Sequence, residues 1–160
     1  MKIVELNAAL TAVFVVITVL AVVVFNSPLR RLVAIVDLLL FAIGVATFIW
    51  GYFSAVQRSR SDEISVAGLF LLIDGVASKS VMRVMNSALA IQVTVGLGGA
   101  IIRRSTDGVA GSTLAFGVLV PLLGLGLNGL WASKYGSFGK RILDQVSAPE
   151  GQIGKDGEHG

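Results

Sequence analysis

The sequence has no cysteine and only one histidine. Without cysteine the chain can form no disulfide, no thiolate nucleophile and no cysteine-ligated zinc or iron–sulfur centre. His159 stands alone in a glycine-rich end, so it cannot complete the ligand set of a haem or of a multi-histidine metal site. No group of acids and histidines has the spacing of a catalytic set. We therefore expect a protein that is not an enzyme and holds no metal or cofactor.

Charge is also scarce. Charged residues make up 14% of the 160 residues, whereas an ordinary soluble domain carries about 25%. Hydrophobic residues make up 54% and the mean hydropathy is +0.82. Charge is nearly absent from four long stretches: 6–29, 32–57, 84–102 and 108–133. Because about 20 apolar residues in helical form cross a bilayer, this pattern predicts a multi-pass membrane protein.

The predicted fold is an all-α polytopic bundle of four transmembrane helices, occupying residues 1–133. The spans are expected at about 4–26, 30–56, 81–102 and 111–132. The turn sequence Asn26-Ser27-Pro28 predicts that the first two spans form a tight helical hairpin. A further uncharged run, 64–73, would reach only about 15 Å as a helix. We expect it to lie in a short, non-spanning helix at about 62–75.

The distribution of basic residues predicts the orientation of the bundle. With four spans, nine of the 13 basic residues fall on the side that holds both termini. By the positive-inside rule this side is cytoplasmic, which indicates a cell-membrane protein with both termini inside. The same residues suit contact with the lipid bilayer and with anionic lipids at its inner face, and not with nucleic acid. Aromatic residues end spans two and four at this side.

The chain changes character after Ser133. Phe138, Ile142 and Val146 recur every four residues, which predicts an interfacial amphipathic helix over 134–147. Glycines alternate with polar residues over 148–160, which predicts a disordered tail.

Asp37 is the one ionisable residue well inside a predicted span. A carboxylate at that depth is costly in lipid and needs a partner or a proton. In the four-span bundle Asp37 lies at the level where span three ends in Arg103 and Arg104. We expect an ion pair between Asp37 and one of these arginines, and the alternative is a proton or cation site.

Spans three and four contain small and polar residues, which suit close helix packing and interhelical hydrogen bonds. These two spans are the expected packing core, with a polar pore lining as the alternative. Asn86 and Asn128 are expected at one level, and Gln92 near mid-membrane. Pro121 predicts a kink, as a fixed packing feature or as a hinge. The candidate residues for packing or lining are Asn86, Gln92, Gly96, Gly99, Pro121 and Asn128.

These observations favour a small non-catalytic membrane protein: an accessory subunit, assembly factor or scaffold in a membrane complex. Its expected partners are other membrane protein subunits or further copies of itself. The alternative is an oligomeric channel or a transporter of ions or small solutes that uses Asp37 and the polar residues of spans three and four. A lipid-modifying enzyme is the third hypothesis, and the least supported, because no catalytic set is visible.

Overall fold

The structure is a computed structural model that describes residues 2–106 and 108–141. It is mostly helical. The helices are α1 (Lys2–Val24), α2 (Ser27–Arg58), α3 (Val66–Leu71), α4 (Lys79–Ile102), a 3-10 helix (Thr113–Leu119) and α5 (Pro121–Tyr135). The strands are β1 (Asp62–Glu63), β2 (Ser105–Thr106), β3 (Val109–Ala110) and β4 (Gly139–Lys140), paired as β1 with β4 and β2 with β3, both antiparallel.

Among the described residues, four helical segments are long and apolar enough to cross a membrane: α1, α2, α4 and the combined segment Thr113–Tyr135. The predicted number of helices with the length and composition of a membrane span is therefore confirmed. The bundle has two ends. The hairpin end holds the α1–α2 turn and the β2–β3 pair, and the terminal end holds the start of α1, α3 and the β1–β4 pair.

The turn between α1 and α2 follows the predicted chemistry. Asn26 is the N-cap of α2, and its side-chain oxygen accepts a hydrogen bond of 3.0 Å from the backbone N–H of Leu29. Pro28 lies in the first turn of α2, where its missing N–H costs nothing. The turn is short, as expected. However, the closest contact of α2 is with α5 and not with α1.

Glycine brings α2 and α5 together. A Cβ atom on Gly44 would lie 2.5 Å from the Leu123 backbone nitrogen, and one on Gly51 would lie 2.8 Å from the Gly129 carbonyl carbon. From the other side, a Cβ on Gly126 would lie 2.5 Å from the Gly44 carbonyl oxygen. Only glycine permits such an approach of two backbones. Spans three and four were the expected packing core, and the structure adds span two to it, because α2 approaches α5 as closely as α4 approaches the fourth span.

The fourth span is not one continuous helix. Its first part is the 3-10 helix, and α5 begins at Pro121. Pro121 has no N–H to donate to the carbonyl of Gly117, and that carbonyl instead accepts from the Val120 N–H at 3.2 Å. The carbonyl of Gly117 also lies against Gly96 of α4, where a Cβ atom would clash with it. The predicted kink at Pro121 is thus a change of helix type held by close packing.

The segment between α2 and α4 also differs from the prediction. The helix α3 occupies 66–71 rather than 62–75, because residues 62–63 form β1. It is far too short to span a bilayer, and Gly68, Leu69 and Phe70 are buried. Leu72 ends it in the left-handed conformation with φ of 55°.

An amphipathic helix was expected over 134–147, and the structure describes only 134–141 of this range. In that part α5 continues to Tyr135, and Gly139–Lys140 then pairs with β1 as a strand. Arg58 holds the segment after α5 against β1. Its guanidinium carbon lies 5.1 Å from the Phe138 ring centroid, and its Nε lies 2.6 Å from Asp62 Oδ2. Ile142, Val146 and the whole predicted tail, 148–160, lie outside the described residues.

A line of polar groups inside the bundle

The interior of the bundle contains polar side chains at several levels. Those with at most 4% of their surface exposed are Asn7, Thr11, Thr18, Asp37, Gln92 and Asn128. On α1 the buried residues are spaced at alternating intervals of three and four, which places them on one face of the helix. On α2 the buried positions Arg30, Asp37, Gly44 and Gly51 recur every seven residues and form what we term the α2 seam.

Asp37 lies where all four spanning segments meet. A Cβ atom on Gly117 would lie 3.4 Å from Asp37 Oδ2, 3.4 Å from Phe14 Cε2 and 3.5 Å from the Gly96 Cα. The side chain therefore faces the 3-10 helix, between α1 and α4. Asp37 is 1% exposed, and neither carboxylate oxygen has a hydrogen-bond partner among the described residues.

The expected ion pair of Asp37 with Arg103 or Arg104 does not form. Arg103 donates from Nε and Nη2 to the Val22 carbonyl oxygen, at 3.0 and 2.5 Å. Arg104 is exposed and donates to the Ile101 carbonyl oxygen at 3.2 Å. Both arginines lie at the end of α4, whereas Asp37 lies deeper in the bundle, beside Gly96. Sequence position correctly placed Asp37 and the two arginines in the same half of the bundle, but it did not show that Asp37 lies deeper than the arginines.

Arg103 instead helps to close the hairpin end. Its guanidinium carbon lies 4.6 Å from the centroid of the Phe25 ring, and that of Arg30 lies 5.0 Å from the same centroid. Each contact is a cation–π interaction. Phe25 has φ of 30°, an unfavourable backbone conformation for a residue with a side chain. The two arginines and the ring form what we term the Phe25 clamp.

Gln92 supplies the hydrogen bonds that the broken fourth span lacks. Gly124 is in the first turn of α5, where backbone N–H groups have no partner within the helix. Its N–H donates to Gln92 Oε1 at 3.1 Å. The amide nitrogen of Gln92 donates to Thr11 Oγ1 at 2.7 Å and to Asn7 Oδ1 at 3.3 Å. α5 begins at Pro121, and the Gln92 amide oxygen accepts a hydrogen bond from a backbone N–H of its first turn. Gln92 and Pro121 thus act together at the start of α5.

Asn86 and Asn128 form the predicted pair. Asn128 Nδ2 donates to Asn86 Oδ1 at 3.0 Å and to the Phe70 carbonyl oxygen at 2.9 Å. Asn86 Nδ2 donates to the Leu71 carbonyl oxygen at 2.6 Å. Both carbonyls belong to the last turn of α3, whose C-terminal acceptors lack partners within the helix. The pair therefore fixes α3 against α4 and α5, which is a packing role.

Gly96 and Gly99 both lie on the buried face of α4. Gly96 packs against Gly117, and a Cβ on Gly99 would lie 3.1 Å from the Thr18 methyl group and 3.6 Å from Leu114. Asn7, Thr11 and Thr18 are not among the residues predicted from the sequence. Their spacing of four and seven residues along an otherwise apolar helix is the signal that would have identified them.

In the part of the chain that the structure describes, no three His, Cys, Asp or Glu side chains lie close enough to hold a metal ion. Comparison of the chain with protein-family models, with curated proteins and with solved structures found no match in any of the three. The fold and its interior thus define a class only: a helical protein with four segments suited to crossing a membrane and a polar line between them.

Proposed function

We propose that this protein is a small, non-catalytic subunit of a membrane complex, which packs onto a partner through the groove between α1 and α4. The groove has a volume of about 610 Å³ and an almost wholly apolar lining. Small residues line both of its walls, with Ala8 and Ala12 on α1 and Ser87 on α4. Small residues at a lipid-facing surface allow another helix to approach closely.

The charges beside the groove indicate what the partner carries. Arg83 lines the terminal end of the groove, and Glu5 is exposed three residues before Ala8 on the same face of α1. We infer an occupant that is a transmembrane helix of another subunit, with small residues at its centre and side chains of opposite charge opposite Glu5 and Arg83. We also place the protein in the cell membrane with both termini cytoplasmic, because most basic residues flank the terminal end.

The test is native purification of wild type and two matched variants, followed by mass spectrometry of the intact complexes. Ala12→Leu fills the groove, and Ala42→Leu makes the same change on an exposed position of α2. We expect a larger partner to co-purify with wild type and with Ala42→Leu, and to be lost from Ala12→Leu. A monomer in all three samples, or equal retention of the partner by both variants, would contradict the proposal.

A transporter or channel is the second candidate, and one observation favours it. The polar line of Thr18, Asp37, Gln92 and Asn7 runs along the bundle beside a helix break. Discontinuous helices lined by polar groups are typical of membrane binding sites. A homogeneous oligomer of this chain alone, with no larger partner, is the outcome of the purification that supports this candidate.

A further inference from the structure

We propose that Asp37 is an exchangeable proton-binding site inside the bundle. The inference does not depend on the subunit role proposed above, since it concerns the interior and not the groove. It starts from an unusual combination. The carboxyl group is 1% exposed, it lies in the middle of a bundle built from apolar helices, and neither of its oxygens has a hydrogen-bond partner in residues 2–106 and 108–141.

A buried carboxylate in these surroundings needs a counter-charge. Asp37 Oδ2, Phe14 of α1 and Gly96 of α4 all lie beside Gly117 of the 3-10 helix, and none of Phe14, Gly96 and Gly117 can titrate. On the α2 seam the next charged residue is Arg30, seven residues earlier. No hydrogen bond joins its guanidinium to the carboxyl group of Asp37.

A metal ion fits this place poorly. Hard cations such as Ca²⁺ take six to eight oxygen ligands, and Mg²⁺ requires a nearly ideal octahedron. The described groups that share the space beside Gly117 with Asp37 Oδ2 are an aromatic ring and glycine backbone, and no three His, Cys, Asp or Glu side chains among the described residues lie close enough to hold a metal ion. A proton needs only the carboxyl oxygen itself, so it is the cation that the surroundings favour.

Other buried polar groups lie elsewhere on the inward face of α1. Among the residues that the structure describes, Thr18 Oγ1 has no hydrogen-bond partner, and the Thr18 methyl group packs beside Gly99, one turn along α4 from Gly96. The Thr11 hydroxyl accepts a hydrogen bond from Gln92. No hydrogen bond links either threonine to Asp37, so the proton of Asp37 exchanges with water that enters when the bundle opens locally. The inferred step is a simple acid–base exchange: the carboxyl O–H bond breaks, its proton passes to a water molecule, and hydronium returns it.

The experiment is infrared spectroscopy of the full-length protein in lipid vesicles, following the C=O band of protonated carboxyl groups. At neutral pH we expect one such band in wild type. The band should shift on transfer from H₂O to D₂O and disappear at alkaline pH. It should be missing from Asp37→Asn and retained in Asp74→Asn, a control at an exposed acid with φ of 60° that asparagine tolerates.

Two results would overturn the inference. A wild-type spectrum without the band at neutral pH would show that the carboxylate is charged and has another counter-charge. A band that neither D₂O nor alkali changes would show a permanently neutral, structural acid. If Asp37→Asn does not fold, the wild-type response to D₂O and alkali still decides the matter, and Asp37→Glu, which keeps the carboxyl group, should move the band and not remove it.

Discussion

The contact between α2 and α5 can be tested by adding a single methyl group at Gly44. The new Cβ would lie 2.5 Å from the Leu123 backbone nitrogen, 2.7 Å from the Leu122 carbonyl carbon and 2.8 Å from the Leu123 Cα. Ordinary contacts between heavy atoms begin at about 3.5 Å, so the two helices must separate by about 1 Å. All three obstructing atoms belong to the backbone, so no side chain can rotate away. Overpacking of this kind costs about 1–3 kcal/mol.

Gly98→Ala is the matched control, because Gly98 is also inside a spanning helix but a Cβ there would have no neighbour within 4 Å. Alanine is the better helix former by about 1 kcal/mol, so the control should be as stable as wild type or slightly more stable. We expect Gly44→Ala to lower the free energy of unfolding by about 1–3 kcal/mol. Reversible unfolding in mixed micelles, followed by the fluorescence of Trp50 in α2 and Trp131 in α5, measures the stability of both variants. Equal stability of the two variants would refute the described α2–α5 contact.

Two further predictions concern the polar contacts. A double-mutant cycle of Asn86→Ala and Asn128→Ala should give a coupling energy of about 0.6–1.7 kcal/mol in unfolding experiments, because the two amides share a hydrogen bond. Additive effects of the two substitutions would contradict that bond. Arg103→Lys should speed backbone hydrogen exchange in the α1–α2 turn by roughly tenfold, equivalent to about 1.4 kcal/mol. An ammonium group cannot reproduce the two hydrogen bonds to the Val22 carbonyl or the stacking on the Phe25 ring. Unchanged exchange would show that the clamp does not hold the turn.

The spans were predictable because they depend on composition alone. A run of some twenty apolar residues has few other stable states, and the N-caps Asn26 of α2 and Ser78 of α4 have ordinary capping chemistry. The pairing of Asn86 with Asn128 was also predictable, since counting residues from the same end of the bundle places both at one level. Counting residues from one end of the bundle predicts the level of a residue wherever the direction of each span is known.

Lateral packing was harder to predict. The mutual positions of four spans depend on which face of each helix lies inside the bundle. Apolar residues occur both on faces that contact lipid and on faces that contact protein, so the sequence does not distinguish the two. The seven-residue spacing of Asp37, Gly44 and Gly51 marks the inward face of α2, yet glycine is common in membrane helices for other reasons. For the same reason an ion pair of Asp37 could not be inferred from its level alone: Arg103 binds Val22 and Phe25 at the hairpin end, and Arg104 binds the Ile101 carbonyl of its own helix.

The Phe25 clamp has a consequence for the order in which the chain assembles. Arg103 follows Phe25 by 78 residues, so the chain up to the end of α2 is synthesised before the second guanidinium of the clamp exists. Until then Arg30 alone can stack on the Phe25 ring. The clamp is complete only when α4 packs beside α1, so its two halves join the first and the third long helices of the chain.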